Sequence, residues 1–128
     1  MIKKRLFSPF PLTINELKKM ITNQLEQKLP DFNFVVFEQK HKKVAIFFLK
    51  TMIDTNRLEQ SLLQPLLNMQ EDWSNQSVLN QISLMPLPPE FDLAKVSEEI
   101  HSGIVFVYIE GEQDIIRYPL QHHEKRSL

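Results

Sequence analysis

A chain of 128 residues and 15.2 kDa is one domain long, and its 42% hydrophobic content can build a core rather than a disordered coil. The net charge of −1 and pI near 6.4 leave no electrostatic footprint for nucleic acid. The absence of cysteine excludes disulfides, thiol catalysis and cysteine-type zinc sites, and it fits a reducing compartment.

Residues 1–12 read as an N-terminal arm. Its basic start resembles the opening of a signal peptide, but it lacks a long apolar run and is interrupted by Pro9 and Pro11. Lys3, Lys4 and Arg5 offer a weak contact to anionic lipid or an acidic partner, against the plainer reading of a solvated terminus. No apolar run in the chain approaches the roughly 18 residues that span a bilayer, so taken alone it reads as soluble, with no transmembrane segment.

Thr13-Ile14-Asn15-Glu16 matches a capping box, and Ile14, Leu17, Ile21, Leu25 and Leu29 follow at helical spacing until Pro30 stops the helix. The opposite face is polar: Lys18, Lys19, Asn23, Gln24, Glu26, Gln27 and Lys28. Residues 32–38 (FNFVVFE) read as a strand, and 39–42 as a loop into a second strand at 44–49 (VAIFFL). That run is apolar throughout, as expected of a strand buried on both faces. The loop holds neither Gly nor Asn, so a tight two-residue primed turn is not expected, and His41 within it reads as a surface residue.

Asp54 and Thr55 supply cap-type side chains, and Leu58, Leu62 and Leu66, widened by Leu63 and Leu67, form the stripe of a helix lying over a sheet. Pro65 predicts a kink, or a break and restart, near Gln64. The polar stretch 71–81 carries the single tryptophan, Trp73, which either folds over its own core edge or anchors a partner. A short helix fits 75–82. Met85-Pro86-Leu87-Pro88-Pro89 must be extended, and it reads as a rigid joint rather than a ligand for proline-reading modules. A covering helix is expected over 92–102, ended by Gly103 in the left-handed conformation. A buried strand at 104–109, a turn at 111–114, a returning strand at 115–120 and a frayed tail complete the chain.

The predicted order, α, β, β, α, a short α, α, β, β, gives an α/β fold of the α+β kind. It has about four strands from two hairpins, with the two apolar strands central and the other two more peripheral, and three or four covering helices. The expected organisation is an arm at 1–12, one domain at 13–120 and a tail at 121–128.

Catalytic chemistry finds little to work with. Two glycines, Gly103 and Gly111, cannot build a phosphate-cradling loop, and no Gly-x-Ser-x-Gly elbow occurs. His122 and His123 beside Glu124 lack the rigid frame of a metal site. His101 with Glu98 or Glu99 is the only acid–base material, and its place in a last helical turn favours a dipole-capping role. The carboxylate pairs Glu98-Glu99 and Glu71-Asp72 are sequence neighbours that do not share a helix face. No catalytic, cofactor-binding or metal-binding residue is assigned, and no cofactor is expected. The chain reads as a binding or assembly module.

The run 43–67 (KVAIFFLKTMIDTNRLEQSLLQPLL) resembles the signature near the start of the A subunits of spore germination receptors, the GerA family. Its features fall on Lys43-Val44-Ala45, Met52-Ile53-Asp54 and Gln64-Pro65-Leu66-Leu67. Farther on, Ser102-Gly103 and Ile109-Glu110-Gly111 resemble the family's helix end and strand end, with Asp114 to Tyr118 in register. The resemblance spans roughly residues 10–120 and implies the soluble N-terminal α/β domain of such a subunit, on the cytosolic side of the spore inner membrane. With B- and C-type subunits, such subunits form receptors that answer nutrients and start germination. No residue matches a family ligand site. Family members continue through a second α/β portion, an Arg-rich stretch containing Glu-Pro, and membrane helices, none of which appears at 122–128. The chain is therefore expected to be a piece, a truncated reading frame or a short stand-alone relative. Apolar surface left bare by a missing half would favour a homodimer. The alternatives are a stand-alone small-ligand-binding or regulatory domain with a pocket between sheet and helices, and, ranked last, an enzyme using His101 with Glu98.

Overall fold

The apolar strands 44–49 and 104–109 find each other across the chain, and everything else is layered on that pairing. In the computed structural model, which describes residues 8–25 and 29–121, they become β2 (Lys42–Leu49) and β4 (Ile104–Ile109), paired antiparallel with Ile46 opposite Val107. β1 (Phe32–Gln39) flanks β2, and β5 (Ile115–Pro119) flanks β4, each antiparallel to its neighbour. A fifth strand, β3 (Leu87–Glu90), covers the outer side of β5. The sheet order is β1-β2-β4-β5-β3. The proline-rich joint thus adds one short strand to the expected four, and β5 lies inside the sheet while β1 is an edge.

Alternation along β2 and β4 divides the core in two. Val44, Ile46, Phe48, Val105, Val107 and Ile109 face one layer, and Ala45, Phe47, Leu49, Ile104, Phe106 and Tyr108 face the other. The second layer holds α1 (Ile14–Gln24), which buries Ile14, Leu17 and Ile21 behind the predicted capping box of Thr13 and Glu16. It also holds α4 (Leu93–Glu99), which is followed by a 3-10 turn, Ile100–Ser102, and by Gly103 at φ 76°. α1 ends at Gln24, before the expected stop. Leu25 and Leu29 still pack at the core's margin, while Glu26, Gln27 and Lys28 of the predicted polar face lie outside the described residues.

The first layer is covered by α2, a continuous helix at 55–67, and α3 (Asn75–Gln81). α2 opens as Thr55–Arg57 with Asp54 as its cap, widens to a π-helix over Leu58–Leu63 and returns to α geometry at Gln64–Leu67. The break expected from Pro65 is thus a change of helical pitch. A wider turn relieves the clash of the ring with the preceding carbonyl while Leu58, Leu62 and Leu66 stay buried. Trp73 folds back onto this layer, with its indole Nε1 donating to the Leu66 carbonyl at 3.2 Å.

The β1–β2 connection departs from expectation. Gln39 pairs with Lys42, so the loop is only Lys40 and His41, at φ 49° and 69°. Both are left-handed, as in the tight primed turn that Gly or Asn would favour, at a cost of about 1 kcal/mol each for these side chains. An unbroken eight-residue ladder enforces the turn. The Lys40–Asp72 ion pair at 3.8 Å and the bond from Gln39 Nε2 to the Met69 carbonyl at 3.3 Å tie it to the chain beyond α2.

Candidate functional site

Among the described residues neither His101 nor Glu98 forms an ion pair. His101 and Glu98 are both exposed, whereas Glu99, its neighbour on α4, turns inward to Arg117. His41 sits exposed at the hairpin tip, and Glu71 and Asp72 are exposed. His122, His123 and Glu124, like Lys3, Lys4 and Arg5, lie outside the described residues. Among the described residues no group of three or more histidines or carboxylates is placed to hold a metal ion.

The densest polar constellation lies at the end of the sheet where β4 turns into β5. Tyr108 is the hub. Its hydroxyl accepts from the Leu12 N–H at 2.8 Å and the Gly111 N–H at 3.3 Å, and it lies 2.8 Å from the Leu12 carbonyl and 3.1 Å from that of Glu112. Phe10 stacks at a tilt against its ring, with centroids 5.1 Å apart. The C-terminal part of the expected arm is therefore fastened to the sheet, with Phe10 buried. Burial pushes the Tyr108 hydroxyl above the usual tyrosine range.

Two residues on, Glu110 Oε2 accepts from the Ile14 N–H at 2.8 Å, at the N-terminus of α1. Across the sheet, Glu112 Oε2 accepts from the Asn75 N–H at 3.2 Å, and Asp114 Oδ1 accepts from Asn75 Nδ2 at 2.7 Å, at the start of α3. Glu110 and Glu112 each accept from a backbone N–H at the start of a helix, where negative charge is stabilised. Burial, with the Glu112 charge adding to it, raises the Asp114 carboxyl above its ordinary value. One short turn thus grips a helix on each face.

At the far edge Arg117, the one buried charged residue described, projects from β5. Its Nη1 meets Glu99 Oε1 at 2.6 Å, and its Nε and Nη2 donate to the Pro88 carbonyl at 2.9 and 2.6 Å. The fork joins β5, β3 and α4. Sequence reading passed over Arg117 and Tyr108 because each sits inside an apolar run. Strand parity, with Ile115 and Arg117 on one face, was the only signal that the guanidinium points inward.

Of the openings on the described surface, two suit a partner. A cleft of about 560 Å³ opens beside Met20 and Gln24 of α1 and the stretch 90–95, where Phe91 and Leu93 give it apolar walls and Glu90 and Lys95 give it charge. The other is β1, the terminal strand of the sheet among the described residues, with Val36 44% exposed on it.

Comparison with known proteins adds identity to this geometry. A model of the Bacillus/Clostridium GerA spore germination protein family matches residues 15–128, which takes in both helical layers and every strand. In structure the chain is similar to the N-terminal domain of the A subunit of the Bacillus megaterium spore germinant receptor GerK3, with a TM-score of 0.52 at 10% sequence identity. The superposition covers 88% of this chain and 96% of that one, and at that identity it speaks for the fold. No curated protein matches the sequence.

Proposed function

This chain belongs to the Bacillus/Clostridium GerA family of spore germination proteins, and from that premise we propose that it is the N-terminal module of a germinant-receptor A subunit, acting by contact with the other receptor subunits. The observation that carries the reading is the extent of the family match, residues 15–128, over a fold shared with the GerK3 A-subunit domain. The chemistry of the surface supports it. The polar clusters at Tyr108 and Arg117 are spent on holding elements together, while apolar side chains such as Leu67, Leu79 and Met85 stand at the surface. A scaffold whose main polar clusters tie its own elements together, with apolar side chains at its faces, suits assembly rather than catalysis. In this reading B- and C-type subunits are the partners and the module sits at the cytosolic side of the spore inner membrane. No described helix is long and apolar enough to cross a membrane, and in this reading the partner subunits hold the module at the membrane.

The test is to express the tagged chain in a sporulating host, fractionate the spores and probe the inner membrane. Co-purification with receptor subunits supports the module. Recovery only as free protein overturns it and turns attention to the second reading, a small-ligand-binding domain, which the α1–α4 cleft favours. There a reproducible rise in melting temperature with one small molecule is the expected sign.

A further inference from the structure

The two edges of the sheet are treated differently. β3 is four residues long, contains Pro88 and Pro89, and has an irregular register against β5. Those are the devices that keep a strand edge from pairing with another chain. β1 has none of them. It is eight residues long, runs in unbroken register with β2, contains neither proline nor lysine, and carries one charge, Glu38. Among the described residues no strand pairs with its outer side, where Val36 is exposed.

We propose that β1 is a self-association edge, with two copies of this chain pairing their β1 strands antiparallel about a twofold axis at Val36. A twofold normal to the sheet keeps like faces on the same side, so only registers that pair residues of one face are allowed. Centring the axis on Val36 buries the strand's most exposed apolar side chain against its own copy. It also sets Glu38 opposite Phe34 of the second copy. Lys18 of α1 holds its Nζ 5.7 Å above the Phe34 ring, so the Glu38 carboxylate arrives beside that ammonium group, twice by symmetry. This complementarity, absent when the chain stands alone, selects a second copy as the occupant. The paired edges turn the five-stranded sheet into one continuous sheet of twice that number.

Sedimentation of the full chain across the micromolar range tests this. The expected result is a mass that rises with concentration to twice 15.2 kDa; a single-chain mass throughout overturns the proposal. Val36→Asp sets two like charges on the axis and should return the single chain. Lys18→Glu and Glu38→Lys should each weaken association by roughly tenfold, and the double reversal should restore it, a rescue that misfolding cannot imitate. A dimer indifferent to Val36→Asp, or singles not rescued by the double variant, places association elsewhere and overturns the assignment.

Because the chain has no cysteine, Val36→Cys supplies a single thiol. Directly opposed residues lie about 4.5–5.5 Å apart at Cα, within disulfide reach. Mild oxidation should then yield a covalent dimer from Val36→Cys but not from Met85→Cys, at a site 81% exposed; equal yields count against the edge. If the isolated chain stays single while Val36→Asp abolishes co-purification with receptor subunits, the edge belongs to another subunit and the second-copy proposal is wrong.

Discussion

Two buried tyrosines show how little the residue type says by itself. The Tyr108 hydroxyl satisfies backbone groups of Leu12, Gly111 and Glu112, whereas the Tyr118 hydroxyl is buried with no partner among the described residues. Tyr108→Phe should therefore cost about 2 kcal/mol, the penalty for leaving buried backbone groups unmatched, and should loosen residues 8–12. Tyr118→Phe should instead stabilise the chain by about 1 kcal/mol, since it removes a desolvated hydroxyl and keeps the ring. Urea unfolding of the two variants checks both signs. In the sequence these residues look alike, each set in a largely apolar strand. Strand alternation fixes which face each side chain takes, but the partner on Tyr108 is supplied by a segment from the other end of the chain, which no local pattern encodes.

At the scale of elements, β3 shows how a proline-rich segment is kept in a sheet. With Pro88 and Pro89 unable to donate, ladder pairing is limited to positions such as Leu87 opposite Arg117 and Glu90 opposite Ile115. The Arg117 fork on the Pro88 carbonyl substitutes for the missing bonds, and Glu99 neutralises it. Arg117→Lys keeps the charge but not the planar fork, so it should destabilise the chain by about 2 kcal/mol, and Arg117→Ala, which leaves Glu99 unpaired, by about 3 kcal/mol. In both, amide exchange should rise first across 85–92, and a uniform rise over the whole sheet would contradict the role given to the fork. The helices and the two long hairpins were legible from capping residues and apolar periodicity: the Thr13–Glu16 box, the Leu58–Leu62–Leu66 stripe and Gly103 lie where those signals put them. The Lys40-His41 turn and the pairing of β3 were not, because ladder pairing and a side-chain fork formed over long separations override local turn and strand preference.

For the whole molecule, titration should give an asymmetric stability profile. Burial holds Tyr118 at about 12 and raises Tyr108 as well. The unfolded chain gives up these protons near pH 10 and the folded one does not, so stability present below about pH 10 is lost as pH climbs toward 12, by about 3 kcal/mol for Tyr118 alone. On the acid side two effects oppose. Asp114, raised by burial, favours folding below the unfolded carboxylate value and loses that contribution as pH rises through its raised value. Asp31, lowered chiefly by its bond from the Thr51 hydroxyl, contributes above the unfolded value and loses it as pH falls, but it is solvent-screened and weighs little. Urea melts at about pH 8 and about pH 11 should show the alkaline drop, and Tyr118→Phe should remove most of it; an equal drop in that variant would place the loss at other groups.

The strand order also sets a sequence of events in time. β1 with β2, and β4 with β5, are neighbours joined by short turns, so each hairpin can close quickly on its own. The seam between β2 and β4 is different: Ile46 meets Val107 only after α2, α3, β3 and α4 have been looped out between them. Closure of that one long loop, rather than formation of either hairpin, is therefore the step expected to limit the folding rate.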